Sequence, residues 1–224
     1  MCLNEKTPDA VVLGDSGRFP LTTNSSIRCL KYWLKILKMP ESRYVRKCYN
    51  YLLNTKTKLS VNWALEIKYV WVAQNVENDN SFIKKFTEYI RRRHLEAWQT
   101  SLNSSSKLSL YRSIKTAYGH EHYLNSLNVR KYRHAYAQLR SGFHELEIEK
   151  GRYNNTPFAD RLCKICNLDQ VENELHFILI CPMFDDMRRR YIAIDSVTTP
   201  NVDNFYGIMS NRNELVVKHL ASYI

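Results

Sequence analysis

SFIKKFTEYIRRRHLEAWQTSL, residues Ser81–Leu102, decides the fold class. Phe82, Phe86, Tyr89, Ile90, Leu95, Trp98 and Leu102 fit one face of a helix, as side chains three or four apart must. Lys84 with Arg91, and Lys85 with Arg92, are spaced seven apart and stack two turns up on the other face. The same period recurs on both sides of this stretch. Upstream, Ser25 or Ser26 can cap a helix that runs to about Met39 and stops at Pro40. Ile27, Leu30, Leu34 and Leu37, with Trp33 alongside, mark its buried face, and Arg28, Lys31, Lys35 and Lys38 form a second stripe. Two further helices are expected over Ser42–Leu53 and about Val61–Ala73. In the first, Tyr44, Val45, Cys48, Tyr49 and Leu52 face inward and Arg46 and Lys47 outward.

Downstream, the Ser/Asn cluster Asn103–Ser106 reads as a loop. A helix over roughly Leu108–Tyr118 is closed by Gly119. Another covers about Leu127–Leu139, with Val129, Tyr132, Tyr136 and Leu139 inside and Arg130, Arg133 and Arg140 outside. No segment alternates with the period of two that a half-buried strand requires, and no long repeat occurs. The expected fold is mainly α: a helical, bundle-like basic region followed by a small helical module in the cysteine-bearing tail.

Composition agrees with a packed domain. The chain has 224 residues, 44% of them hydrophobic, with six Gly, six Pro and six Cys. That excludes a disordered tail, a collagen-like chain and a disulfide-stapled miniprotein. The longest apolar runs, Tyr69–Ala73 and Phe177–Cys181, fall far short of a membrane span of about 20 residues. Glu5, Lys6 and Asp9 interrupt the first ten residues, so no signal peptide is expected. The expected setting is intracellular, nuclear or cytoplasmic. The Asn-x-Ser/Thr matches at Asn24, Asn103 and Asn154 then read as chance.

Charge is uneven. Lys and Arg number 33 against 22 Asp and Glu, a net of +11. The first 150 residues hold +12 and the last 74 hold −1. Between them GRYNNTPFAD, Gly151–Asp160, lacks periodicity and reads as a linker. The expected organisation is a basic all-α domain over 1–150, a linker over 151–160 and a small cysteine-containing module with C-terminal helices over 161–224. A basic surface of this size suits a polyanion such as RNA or DNA. Solubility alone also accounts for it.

The tail carries the most specific pattern. Cys163-Lys-Ile-Cys166 is followed by His176 and Cys181, a C-x2-C-x9-H-x4-C spacing. Three thiolates and an imidazole supply the tetrahedral donor set that zinc prefers, and four protein ligands leave no open position, so the site would be structural. A redox pair at Cys163 and Cys166, or plain packing of the cysteines, are the alternatives. Cys2, Cys29 and Cys48 have no partner spacing. After Pro182 a helix over Met183–Ile194 is expected, with Asp185 and Asp186 at its start and Arg188, Arg189 and Arg190 further along, which complements the helix dipole. The three arginines are a solvated helix end or a phosphate contact beside the knuckle. Glu214–Tyr223 offers a last helix.

LRSGFHELEIEKGR (Leu139–Arg152) followed by RLCKICNLDQVENELHFILICPMFDDMRRRYI (Arg161–Ile192) resembles the C-terminal region of non-LTR, LINE-type retrotransposon reverse-transcriptase polyproteins. GDSGRFPL (Gly14–Leu21) and IRCLKYWLKILKMP (Ile27–Pro40) resemble the segment that follows polymerase and thumb there. The resemblance spans about residues 14–194. It implies a module that holds element RNA or target DNA for a polymerase in the same polypeptide, with Cys163, Cys166, His176 and Cys181 as zinc ligands. No F/Y-x-D-D polymerase element occurs, and Phe158-Ala159-Asp160-Arg161 lacks its second aspartate. His144-Glu145 is not followed by the second histidine of a zinc protease.

The expectation is therefore a non-enzymatic, zinc-containing module that binds RNA or single-stranded DNA. The alternative is a structural or protein-interaction scaffold, or an inactive fragment. Candidate phosphate contacts are Arg28, Lys31, Lys35, Lys38, Lys84, Lys85, Arg91, Arg92, Arg130, Arg133, Arg140, Arg188, Arg189 and Arg190, with exposed Tyr or Trp available for stacking on bases.

Overall fold

The computed structural model describes residues 7–54, 79–192 and 200–224. Every regular element among them is helical. In order these are α1 (Asp9–Ser16), α2 (Leu21–Leu37), α3 (Tyr44–Asn54), α4 (Asp79–Ser104), α5 (Ser109–Ile114), α6 (Tyr123–Ser126), α7 (Arg130–Arg140) and α8 (Glu147–Tyr153). A π-helical turn (His176–Ile180), α9 (Asp185–Tyr191), α10 (Val202–Met209) and α11 (Glu214–Tyr223) follow. Among the described residues, extended pairing is confined to two isolated bridges, Ser16 with His120 and Leu162 with Val171. The mainly α expectation holds. The helix expected over Val61–Ala73 lies outside the described residues, as do the last two residues of the one expected over Met183–Ile194. No helix among the described residues is long and apolar enough to cross a membrane.

Boundaries shift for local reasons. α2 starts at Leu21 because Pro20, with its fixed φ of −53°, serves as its N-cap. Ser26 then lies inside the helix and its hydroxyl donates to the Thr22 carbonyl at 2.9 Å. α5 ends at Ile114, four residues early, because Lys115 turns extended at φ −109° and ψ 84°. That turn brings the chain to Gly14 and Asp15, whose carbonyls accept from the Gly119 and Glu121 amides at 3.4 and 2.8 Å. Within α3, Tyr44 and Val45 are exposed rather than inward, while Arg46 lies over the Tyr49 ring at 5.5 Å.

The chain divides into two compact units, Phe19–Ala97 and the remainder. This differs from the division expected at 151–160. In Phe19–Ala97, α2 buries Leu30, Trp33, Leu34 and Ile36 with Tyr49 of α3 and Phe82 and Phe86 of α4. In the other unit one core joins Tyr123, Leu127, Tyr136, Ala137 and Leu139 to Ile178 and Leu179 of the π turn. It also takes in Phe205 and Met209 of α10, and Val217, Leu220, Ala221 and Tyr223 of α11. Among the described residues beyond 161, only the small cluster of Cys163, Cys166 and Cys181 with Phe184 is packed within the tail itself; the rest of the tail's apolar side chains join this core. The tail shares it with α6 and α7, because its apolar turn needs a larger surface to cover it than so short a segment can provide. Nor is 151–160 a linker. Its first residues complete α8, and a β-carbon on Gly151 would meet the Arg161 side chain at 2.5 Å.

A buried polar network fastens α1 to this core. Asp15 is 1% exposed, and its two carboxylate oxygens accept from the Tyr111 and Tyr123 hydroxyls, both at 2.7 Å. Gly14 makes the approach possible, since a β-carbon there would meet Trp98 Nε1 and the Tyr111 hydroxyl at 2.8 Å. Burial raises the Asp15 carboxyl above its usual range, against the opposing pull of Arg140 and the two phenols. Next to it Glu121 accepts from Lys115 Nζ at 2.6 Å and from Arg140 Nη2 at 2.7 Å. Burial alone would raise the Glu121 carboxyl, but Arg140 and Lys115 outweigh it and hold it below its usual 4.5.

A carboxylate with a lowered folded-state pKa contributes stability above its unfolded value and loses it as pH falls. Glu121→Gln should therefore cost about 3 kcal/mol at neutral pH, because it leaves buried cations short of a counter-charge. The gap to the unsubstituted chain should close as pH falls below 4.5, read by urea unfolding across pH.

Candidate metal centre

The C-x2-C segment lies in a short extended hairpin, and two backbone bonds close it. The Cys163 amide donates to the Gln170 carbonyl at 2.9 Å, and the Glu172 amide donates to the Arg161 carbonyl at 2.9 Å. Asn173 then starts the helical turn: its side-chain oxygen accepts from the His176 amide at 2.8 Å. The turn widens at once to π geometry, so that the Cys181 amide donates back to the His176 carbonyl, five residues earlier, at 2.7 Å. That extra residue per turn sets His176 and Cys181 side by side, a placement often seen for π turns at functional sites.

The result is one buried cluster. Cys163, Cys166, His176 and Cys181 are all buried, and their donor atoms all lie within 4.8 Å of one another. Cys166 Sγ is 3.4 Å from His176 Nε2. A tetrahedron with the bond lengths of zinc to sulfur and nitrogen has donor separations of about 3.6–3.8 Å, so this group could hold a metal ion with little movement. The donor chemistry fits as well. The three thiols are free, none of them in a disulfide. Burial pushes the Cys163 thiol up to about 12 and raises that of Cys181, so without a cation the cluster holds protons. Burial likewise lowers His176, which keeps its imidazole neutral and able to coordinate. Gln170 Oε1 lies 3.4 Å from His176 Nδ1, and a neutral ring whose Nδ1–H donates there presents a bare Nε2 to the cluster. Glu172 Oε1 lies 3.6 Å from Cys163 Sγ.

Arg188 holds the turn from behind. It is 1% exposed, and its guanidinium donates to the Ile178 carbonyl at 2.9 Å, the Cys181 carbonyl at 2.6 Å and Asp185 at 2.7 Å. Arg188 is the hydrogen-bond partner of the Ile178 carbonyl, and it shares the Cys181 carbonyl with the Phe184 amide, which donates there at 3.3 Å. The hairpin is anchored to α8 by Arg161, whose Nη1 donates to the Ile148 carbonyl at 2.9 Å. The Glu147 amide donates to Glu172 Oε2 at 2.8 Å, and His144 pairs with Glu174 at 3.0 Å.

Arg140 and Arg188 correct the reading of the arginines as external contacts. Both are buried, with carbonyl and carboxylate partners, and neither reaches solvent. Arg133 is half-buried and donates to the Leu124 carbonyl at 3.3 Å. Arg28, Lys31, Lys35, Lys38, Lys84, Lys85, Arg91, Arg92, Arg130, Arg189 and Arg190 are exposed. Of these, Arg92 lies 3.8 Å from Glu96 and Arg189 lies 3.2 Å from Asp185. Gln170, Glu172, Asn173 and Arg188, which support the cluster, were not singled out as its neighbours by spacing. Asn173 three residues before His176 is the one that fits a sequence rule, that of an N-cap.

No protein-family model, no curated protein and no solved structure matches this chain.

Two outcomes test the centre. Gln170→Ala should weaken metal affinity about tenfold while the helical signal persists, read by competition with a chromogenic chelator. Arg188→Met should leave the buried Ile178 carbonyl unsatisfied and cost about 1–3 kcal/mol of stability, measured by denaturant unfolding of the metal-loaded protein.

Proposed function

We propose that the chain is a non-enzymatic nucleic-acid-binding module whose tail is braced by a structural zinc ion, of the kind found behind the polymerase of LINE-type retroelements. The observation that carries this reading is the placement of charge. Phe19–Ala97 contains 15 Lys and Arg against 6 Asp and Glu, a net of +9, so the rest of the chain holds only +2. Charge spread for solubility would be shared between the units. Charge gathered on one of them is what a phosphate backbone selects.

Zinc is the metal best suited to the tail, since three thiolates and one imidazole leave no coordination site for water or substrate. When bound, the ion neutralises the thiolates and locks the hairpin to the π turn. The residues of this chain do the rest: Gln170 orients the imidazole, and Arg188 holds the carbonyls of the turn. The absence of an F/Y-x-D-D element and the four-ligand donor set both favour a binding role over catalysis. The resemblance of Leu139–Arg152 and Arg161–Ile192 to retroelement tails supports RNA or DNA as the partner.

Binding should be steeply salt-dependent. For a labelled RNA, affinity should fall about a hundredfold between 50 and 200 mM salt if five or six phosphates are neutralised. Absence of binding at low salt would sink the nucleic-acid reading. Elemental analysis of protein purified without added metal should give one zinc per chain, lost in Cys166→Ser. A fully folded, metal-free protein would refute the zinc assignment.

A further inference from the structure

The first half of the basic unit has an unusual surface. Residues 19–54 contain seven Lys and Arg and a single acid, Glu41. On α2, Arg28, Lys31, Tyr32 and Lys35 are exposed, and Arg28 and Lys35 each lie three or four residues from both Lys31 and Tyr32, so they share a face. On α3, Tyr44, Lys47 and Tyr51 do the same. Among the described residues, Arg28, Lys31, Lys35 and Lys47 have no ion-pair partner, in contrast to Arg92 and Arg189.

Three tyrosines stand out from this surface further than Tyr132, which is 39% exposed beside Arg130 and Lys131 in the other unit. Tyr32, Tyr44 and Tyr51 are 51%, 79% and 71% exposed. Among the described residues their rings meet no other ring and no cation, and their hydroxyls have no hydrogen-bond partner. Tyr153, exposed in the other unit, is by contrast engaged by Lys107 through both ring and hydroxyl. A large aromatic ring left in water gains nothing from folding, and three of them beside unpaired cations is the composition of a stacking platform. An anionic membrane would call for a band of aliphatic side chains beside the lysines. Here Leu21 and Val45 are the exposed aliphatics of α2 and α3.

We infer that the faces of α2 and α3 are the binding site for a single strand of nucleic acid, its phosphates on Arg28, Lys31, Lys35 and Lys47 and its unpaired bases on Tyr32, Tyr44 and Tyr51. This rests on the nucleic-acid reading above and adds the place, the strandedness and the stacking residues. A duplex hides the faces of its bases and would use the cations alone. The metal cluster then lies in the unit that does not carry the strand-binding residues.

The test uses the full metal-loaded chain and fluorescence anisotropy with an oligouridine RNA of about 15 nucleotides, the matching oligothymidine DNA and a duplex of the same length. Tyr32→Ala/Tyr44→Ala/Tyr51→Ala should weaken single-strand binding at least about tenfold, and the matching triple Phe variant should stay within about twofold, since Phe keeps the ring. Arg28→Gln/Lys31→Gln/Lys35→Gln should lower the slope of log affinity against log salt by about 2. Photocrosslinks from 4-thiouridine RNA to the unsubstituted chain should map to residues 28–51, which reads the site without any substitution. Equal affinity of the Ala and Phe variants, a duplex bound as tightly as a single strand, or crosslinks confined to 98–224 would each overturn this site while leaving nucleic-acid binding intact. Failure of the unsubstituted chain to bind any of the three probes, or its binding to phosphatidylserine vesicles instead, would overturn both readings.

Discussion

A buried guanidinium draws carbonyls, carboxylates and rings around it, and two such groups organise the larger unit. Taking a cation out of water costs several kcal/mol unless partners await it. Arg140 finds Glu121 and the Met209 carbonyl, and its guanidinium also lies over the rings of Tyr123 and Tyr136 at 5.2 and 5.6 Å. Through those contacts α7 is tied to the end of α10 and to the segment that receives α1. Arg188 performs the same service for the π turn. Without it the turn that sets His176 beside Cys181 would bury the Ile178 carbonyl bare. The metal cluster therefore depends on a cation that coordinates nothing.

The anchoring residues concentrate in two short stretches, Leu139–Arg152 and the residues around Gly14. Leu139–Arg152 contains Arg140, His144, Glu147 and Gly151, and each of them fixes the tail to the core or admits something that does. Gly14 and Asp15 belong to the upstream segment and fix α1 in the same way. These residues are explained by packing and hydrogen bonding. The exposed cations and tyrosines of α2 and α3 have no such structural explanation, which is why the functional argument rests on them.

Period and punctuation made much of the fold legible. The helices over α2, α3, α4, α7 and α11 follow from apolar residues three and four apart, and the ligand set follows from cysteine and histidine spacing alone. The misreadings share a cause. Gly151–Asp160 looked like a linker because Gly, Asn and Pro are ordinary loop residues, yet Gly151 is there so that the Arg161 side chain can cross α8. α6, α8 and α10 are too short for a periodic signal to rise above chance, and they form because the core they cover is already in place.

By itself, the sequence determined the helical class, the donor set of the metal cluster and the net charge, because each depends on residue types at short, regular separations. Only the tertiary structure decided which cations face water. Arg140 and Arg189 look alike in sequence, each lying among charged neighbours on a helix, but one is desolvated against Glu121 and the other is not. The structure alone also decided that the tail joins the core of residues 98–140, and that the surplus charge belongs to Phe19–Ala97. Burial is a property of what packs against a residue, and those partners lie tens of residues away along the chain.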